Sequence, residues 1–293
     1  RRSSDLDGCE LCAAPGRSAE IHRGEQGRGA CPRHAILDEV DAPLLNEIRD
    51  AVPGLDIVDY HVAGHPALTL PPLLQISRAT YLRLIMTEVL PADISRVIYL
   101  DIDMIVTCSL APLWQTDLQG YPCGGIEDPG VDPATFARTC GLEGEGRYFN
   151  AGMLLIDMQA ARQSGFLTQA LDRLIARPGA YEFADQDALN ECLWRNWLPL
   201  DSRWNHQREH LYNPERYITA RKGDTIPAII HFTEAAKPWN ADEWHPYAWL
   251  YWRHLRHTSF FAPIRQRSGI SLRRLAELWL KYRLTVMRGR LAN

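Results

Sequence analysis

The sequence has no run of about 18 apolar residues, so nothing in it reads as a membrane-spanning helix. It has no apolar segment near its start of the kind a secretory signal peptide needs, and the expectation is a chain that is not exported. It lacks an even, regularly spaced set of cysteines. The seven present (Cys9, Cys12, Cys31, Cys108, Cys123, Cys140 and Cys192) are odd in number and scattered, which argues for reduced thiols and a cytoplasmic setting. It also lacks a large net charge: a formal −4 gives no general reason to expect nucleic acid as a partner. With 46% hydrophobic and 23% charged residues, collagen-like, wholly disordered and many-spanning membrane chains are excluded. A length of 293 residues allows one large domain or two modest ones.

The charge is unevenly spread. From Trp252 to Asn293 there are ten Lys or Arg and one acidic residue, Glu277, whereas the rest of the chain holds 22 basic and 35 acidic residues. A mildly acidic body with a basic C-terminal segment points to an anionic partner for that segment. Residues 1–33 differ in another way. They are rich in Arg, Gly, Ser, Ala and Cys and show neither a period of 2 nor one of 3.6, so they read as an atypical leader, disordered or mistranslated. Cys9-x2-Cys12 and Cys31-x2-His34 also have the spacing of a small zinc site, without the apolar neighbours that would give it a mini-core.

From His34 the pattern becomes regular. Strands are expected at His34–Leu37, Leu55–Val58, Arg96–Leu100, Gly152–Asp157 and Ala228–Phe232. Helices are expected at Ala42–Ala51 with Asp41 as N-cap, within Pro71–Leu90 on an amphipathic pattern, and at Phe166–Ala176, Ala184–Trp194 and Trp244–His257. The alternation predicts α/β layers with a largely parallel sheet.

Four segments carry possible chemistry. In Val97-Ile98-Tyr99-Leu100-Asp101-Ile102-Asp103, an apolar strand ends on two carboxylates two positions apart, where a divalent cation could neutralise them; a capped, solvated turn explains them too. In Tyr148-Phe149-Asn150-Ala151-Gly152-Met153-Leu154-Leu155-Ile156, an amide precedes two small residues that let a ligand approach the backbone, or the segment is a plain turn before a strand. Asp185-Gln186-Asp187-Ala188-Leu189-Asn190 opens a helix with polar groups; Asp185 as an N-cap accounts for one of them and leaves Gln186 unexplained. In His231-Phe232-Thr233-Glu234-Ala235-Ala236-Lys237-Pro238-Trp239, the His suits a metal and the Lys a phosphate, although a lone His is often a satisfied core residue.

Taken in order, together with Ile76-Ser77-Arg78-Ala79-Thr80-Tyr81-Leu82-Arg83-Leu84 and Leu198-Pro199-Leu200-Asp201, these segments resemble glycosyltransferase family 8, whose bacterial members include the galactosyl- and glucosyltransferases of lipopolysaccharide core synthesis. The resemblance runs from about residue 34 to about 257. It implies a GT-A nucleotide-diphospho-sugar transferase fold, with a mostly parallel central sheet flanked by helices, and retaining transfer of galactose or glucose from a UDP-hexose donor to a saccharide or lipid-linked saccharide acceptor. Under the resemblance, Asp101, Asp103 and His231 would hold Mn2+ (Mg2+ is the alternative). Lys237 would meet the diphosphate, and Arg83, Asn150, Ala151, Asp185 and Gln186 would line the donor. Asp185 and Gln186 would be the catalytic pair, Gln186 lying near the anomeric carbon.

Two departures stand out. Family members begin with a strand and a short acidic, uridine-contacting loop, which residues 1–33 do not show. Glu234 also stands where the family pattern has Gly. An impaired relative that binds a UDP-sugar or serves assembly is therefore the alternative function. Residues 258–293, basic and interleaved with Trp, Tyr, Phe and Leu, read as an amphipathic tail for an anionic membrane surface, or as a core-packing helix with a solvated basic face. The expected location is cytoplasmic, peripheral on the inner face of the cytoplasmic membrane.

Overall fold

The computed structural model describes residues 9–15, 33–38, 42–52, 56–69, 78–212 and 226–292. Its strands are β1 (Cys9–Pro15), β2 (Arg33–Leu37), β3 (Ile57–His61), β4 (Ile94–Leu100), β5 (Met104–Val106), β6 (Cys123–Glu127), β7 (Phe149–Asp157), β8 (Leu198–Pro199) and β9 (Ile229–His231). The longer helices are α1 (Ala42–Ala51), α2 (Pro133–Cys140), α3 (Met158–Ser164), α4 (Phe166–Ala176), α5 (Ala184–Cys192), α6 (Ala248–Leu255), α7 (Phe261–Arg267) and α8 (Leu272–Ala292). The chain divides into two compact units. The first gathers described residues within 1–49, 53–102 and 112–200, the second those within 50–52, 103–111 and 201–293.

The first unit is a seven-stranded sheet in the order β3-β2-β1-β4-β7-β6-β8. The α/β layering expected from the alternation is present, and the sheet is mixed rather than mostly parallel. The β2–β3 and β6–β8 pairs are parallel, while β1–β2, β1–β4, β4–β7 and β6–β7 are antiparallel. Strands β6 and β7 are consecutive in the chain and adjacent in the sheet, so the chain simply reverses and needs no crossover. Alternation reveals layers; it does not fix strand direction. The core packs Val97, Tyr99, Leu154 and Ile156 of the sheet against Phe166, Leu167, Ala170, Leu171 and Leu174 of α4. Those five positions recur at the spacing of one helical face. Asp157 caps α3 by accepting from the Ala160 N–H at 2.8 Å, and Gly165, at φ +65°, ends α3 and starts α4.

The strand expected at Gly152–Asp157 begins at Phe149, and the helix expected at Trp244–His257 runs Ala248–Leu255; three further segments differ from expectation. Within the stretch read as a leader, Cys9–Pro15 is a strand, laddered on both sides to β2 and β4, so main-chain pairing supplies what side-chain periodicity did not announce. Residues 78–89 are a 3-10 stretch, Arg78–Ile85, followed by the one-turn α-helix Met86–Val89. Tyr81, Leu82, Arg83, Leu84, Ile85 and Met86 are all buried, so the segment is enclosed rather than presenting one apolar stripe. The third is the strand expected at Leu55–Val58, which runs as Ile57–His61. Asp41, residues 71–77 and Cys31 of the zinc reading lie outside the described residues. His34 is in β2, with its Nδ1 2.8 Å from the Tyr60 hydroxyl.

The second unit pairs β5 with β9 antiparallel and packs Ile230, Phe232, Tyr247, Leu250 and Trp252 with Ile270, Leu275 and Leu278. Part of the basic C-terminal segment is therefore core, as the alternative reading of that segment has it. Among the described residues no helix is long and apolar enough to cross a membrane.

Candidate functional site

In the first unit the site begins where β4 stops. Asp101 follows the buried run Val97–Leu100, and its N–H donates to the Gly152 carbonyl of β7 at 2.8 Å. Its Oδ1 accepts from the Tyr99 hydroxyl at 2.5 Å and from Arg83 Nη2 at 2.9 Å. Arg83 is buried, stacked 4.5 Å above the Tyr99 ring, and reaches Asp185 Oδ2 at 2.9 Å and the Ala151 carbonyl at 2.5 Å. One guanidinium thus holds two carboxylates and a carbonyl, a use of its fork that Lys could not reproduce. Burial pushes the Asp185 carboxyl up to about 7, against the pull of Arg83 and with the charge of Asp101 adding to the rise. Asp185 lies inside α5 behind Phe183, the N-cap, which makes no side-chain cap, so the capping explanation for Asp185 does not hold.

Gln186 sits in the first turn of α5 with its amide fully engaged. Its Oε1 accepts from the Ala151 N–H at 3.0 Å, and its Nε2 donates to Asp128 Oδ2 at 3.0 Å and to the Tyr148 hydroxyl at 3.2 Å. The Tyr148 hydroxyl in turn donates to Asp187. Asn150 Nδ2 donates to the same Asp128 oxygen at 3.1 Å, and Asn150 Oδ1 accepts from the Gly152 N–H at 3.1 Å. One carboxylate therefore orients both amides. Asn190 bonds both main-chain groups of Phe149, at 2.8 and 2.9 Å, and so docks α5 onto β7.

In the second unit β5 and β9 place Met104 opposite His231, and the Phe232 N–H donates to the Asp103 carbonyl at 3.0 Å. Asp103 Oδ1 is 3.2 Å from His231 Nε2, and Oδ2 takes the Lys237 ammonium at 2.6 Å. Lys237 also donates to the Phe232 carbonyl at 2.7 Å. Burial opposes the charge on Asp103, but His231 and Lys237 overcome it and hold the carboxyl well below the usual carboxylate range. His231 Nδ1 lies 3.0 Å from Asn205 Oδ1. Assigned from that contact, Nδ1 carries a proton, so Nε2 is the ring nitrogen that faces Asp103. Asp103 Oδ1 is buried, with His231 Nε2 as its polar neighbour. That pair of atoms needs positive charge between them, a proton on Nε2 or a metal cation. The set of carboxylate oxygens and one imidazole suits Mn2+, with Mg2+ less favoured by the nitrogen. Asp101, in the first unit, is separated from Asp103 by Ile102 alone.

Glu234 adopts φ +71°, the left-handed region that favours glycine. Its exposed carboxylate lies 3.6 Å from Arg208 Nε.

Asp128, Tyr148, Asp187 and Asn205 are the members of these networks that sequence reasoning did not assign. Asp128 sits in Glu127-Asp128-Pro129-Gly130, which reads as a turn, and Asn205 carries no local signal. Tyr148 and Asp187 belong to segments already singled out.

Comparison with known proteins places these features in one family. The profile described as glycosyl transferase family 8 matches residues 56–243. Glycosyltransferase GlyF of Streptococcus pneumoniae serotype 4 is 34% identical over 169 residues, covering 56% of this chain and 38% of that protein. The lipopolysaccharide 1,2-glucosyltransferase of Escherichia coli K12 is 28% identical over 198 residues, covering 64% and 56%. The chain thus spans about half or less of these two relatives. Among solved structures, galactosyltransferase LgtC, in complex with donor and acceptor sugar analogs, superposes with a TM-score of 0.68 at 25% identity, covering 77% of this chain and 84% of that one. That likeness makes the architecture GT-A.

Proposed function

This chain belongs to glycosyl transferase family 8, and from that premise we propose that it moves a hexose, galactose or glucose, from a UDP-sugar to a saccharide acceptor with retention, in the synthesis of lipopolysaccharide or another surface glycan. The observation that supports the reading is the buried Oδ1 of Asp103, 3.2 Å from His231 Nε2, in the segment where the family's acidic motif falls. Asp101, Asp103 and His231 would hold Mn2+, which when bound would stabilise charge on the departing UDP.

The chain's own residues would do the rest. Lys237 would exchange its contact with Asp103 for the donor diphosphate. Arg83, Asn150, Ala151 and Asp185 would hold the sugar. Gln186, a neutral amide and a poor nucleophile, would lie near the anomeric carbon, orient the hexose and stabilise its oxocarbenium character while the acceptor attacks the face the UDP leaves. The basic C-terminal helices would keep the protein peripheral on the inner face of the cytoplasmic membrane, near a lipid-linked acceptor.

The test is a donor-hydrolysis and transfer screen across UDP-sugars with Mn2+ or Mg2+, with UDP affinity measured in parallel. A UDP-hexose should be consumed, the product should be the α-anomer by NMR, and Asp103→Ala should bind UDP equally with and without metal. No turnover of any UDP-hexose, or metal-dependent UDP binding that survives in Asp103→Ala, would overturn the reading.

A further inference from the structure

Helices α6, α7 and α8 leave an apolar groove of about 310 Å3 in the second unit. Trp249, Trp252, Phe261, Leu275 and Trp279 wall it, and Arg256 is its one charged lining residue. The apolar surface of α8 extends well past what the core uses. Leu275 and Leu278 are buried, whereas Leu272 is 70% exposed and Trp279, Leu280, Leu284 and Met287 are exposed as well. A helix that only docked onto a core would carry polar residues at those positions.

The charge of the segment that builds most of the groove narrows the occupant. Ten Lys or Arg against one acidic residue lie between Trp252 and Asn293. A second copy of the same face would bring two like-charged surfaces together, which opposes self-association. The complementary molecule has an apolar chain and an anionic head.

We propose that this groove takes one acyl chain of an anionic phospholipid, with Arg256 at the lip meeting its phosphate. The proposal rests on the reading of the C-terminal helices as a membrane-surface element and refines it from adsorption by charge to insertion of a chain. Trp249 and Trp279, which are not buried, suit that boundary, since their rings are apolar and their N–H groups need a polar neighbour.

The experiment uses the full chain and two kinds of probe: dioctanoyl phosphatidylglycerol and dioctanoyl phosphatidylcholine, each below its micelle concentration, and phosphatidylcholine vesicles with or without phosphatidylglycerol. Ala276→Trp fills the groove without changing charge, and Ala276 is an exposed helical position that tolerates a larger side chain. Leu272→Gln is a second variant at a highly exposed site. Both should lose at least tenfold in affinity for the soluble lipid and melt like the parent, and Arg256→Gln should lose the preference for phosphatidylglycerol over dioctanoyl phosphatidylcholine.

Anionic vesicle binding by the parent, combined with unchanged lipid affinity in both groove variants, overturns the groove and leaves the membrane reading standing. No parental binding to anionic vesicles overturns both. Equal parental affinity for the two soluble lipids overturns the assignment to an anionic head. A lipid-free dimer that Ala276→Trp disperses in sedimentation assigns the groove to a second copy and overturns the proposal.

Discussion

At the scale of single residues, Glu234 holds a backbone angle that its side chain disfavours. A left-handed angle costs a residue with a Cβ about 1–2 kcal/mol, and glycine returns about 0.5–1 kcal/mol of that as lost chain entropy on folding. The contact of Glu234 with Arg208 does not tip the balance. It is long, 3.6 Å, its carboxylate is exposed, and Arg208 is already paired with the fully buried Glu243 at 2.5 Å. Glu234→Gly should therefore raise stability by about 0.5–1 kcal/mol, read as a higher denaturant midpoint at an unchanged slope. A lower midpoint would mean that Glu234 does more for Arg208 than the distance suggests.

At the scale of elements, the site depends on how α5 meets β7. Tyr148 precedes β7, and its hydroxyl links Gln186 to Asp187 of α5, so it spans the joint. Tyr148→Phe leaves Asp187 buried with one hydrogen bond fewer, at a cost of about 1–3 kcal/mol, and leaves the Gln186 amide held by Asp128 and Ala151 alone. If Gln186 acts in the transition state, kcat should fall about tenfold with the donor KM little changed, because orientation matters more there than in binding. A rise in KM with kcat intact would place Tyr148 in ground-state binding instead. Much of this joint is legible in the sequence, because Asn150, Ala151, Asp185, Gln186 and Asn190 lie in two short polar interruptions of apolar runs. Asp128 is not, because a carboxylate in an Asp-Pro-Gly turn looks the same whether it faces water or two side-chain amides. The strand positions of β4 and β9 follow from composition within a residue or two, and that of β7 to within three residues at its start. Strand direction, and the strand Cys9–Pro15, follow from pairing with segments distant in sequence, which periodicity does not encode.

At the scale of the whole molecule, the division into an acidic body and a basic C-terminal segment does not coincide with the division into units, because the basic segment supplies core to the second unit. Ile270, Leu275 and Leu278 are buried there, and burying each contributes about 1.5–3 kcal/mol. Their sum approaches the 5–15 kcal/mol by which whole domains are stable. Deleting residues 258–293 should therefore unfold the second unit, seen as loss of near-ultraviolet dichroism, rather than release an intact enzyme from the membrane. The basic charge is separable by substitution. Arg273 is 90% exposed, with only a surface pair to Glu277, and Arg283 is exposed beside Trp279. Each cation near an anionic surface contributes about 1 kcal/mol, so Arg273→Gln with Arg283→Gln should weaken binding to phosphatidylglycerol vesicles about thirtyfold and leave the melting temperature within a degree or two. Binding of both forms should weaken with added salt, and less steeply for the double variant, which has fewer charges to screen. Identical vesicle affinities for the two proteins at low salt would remove the basic face from the attachment.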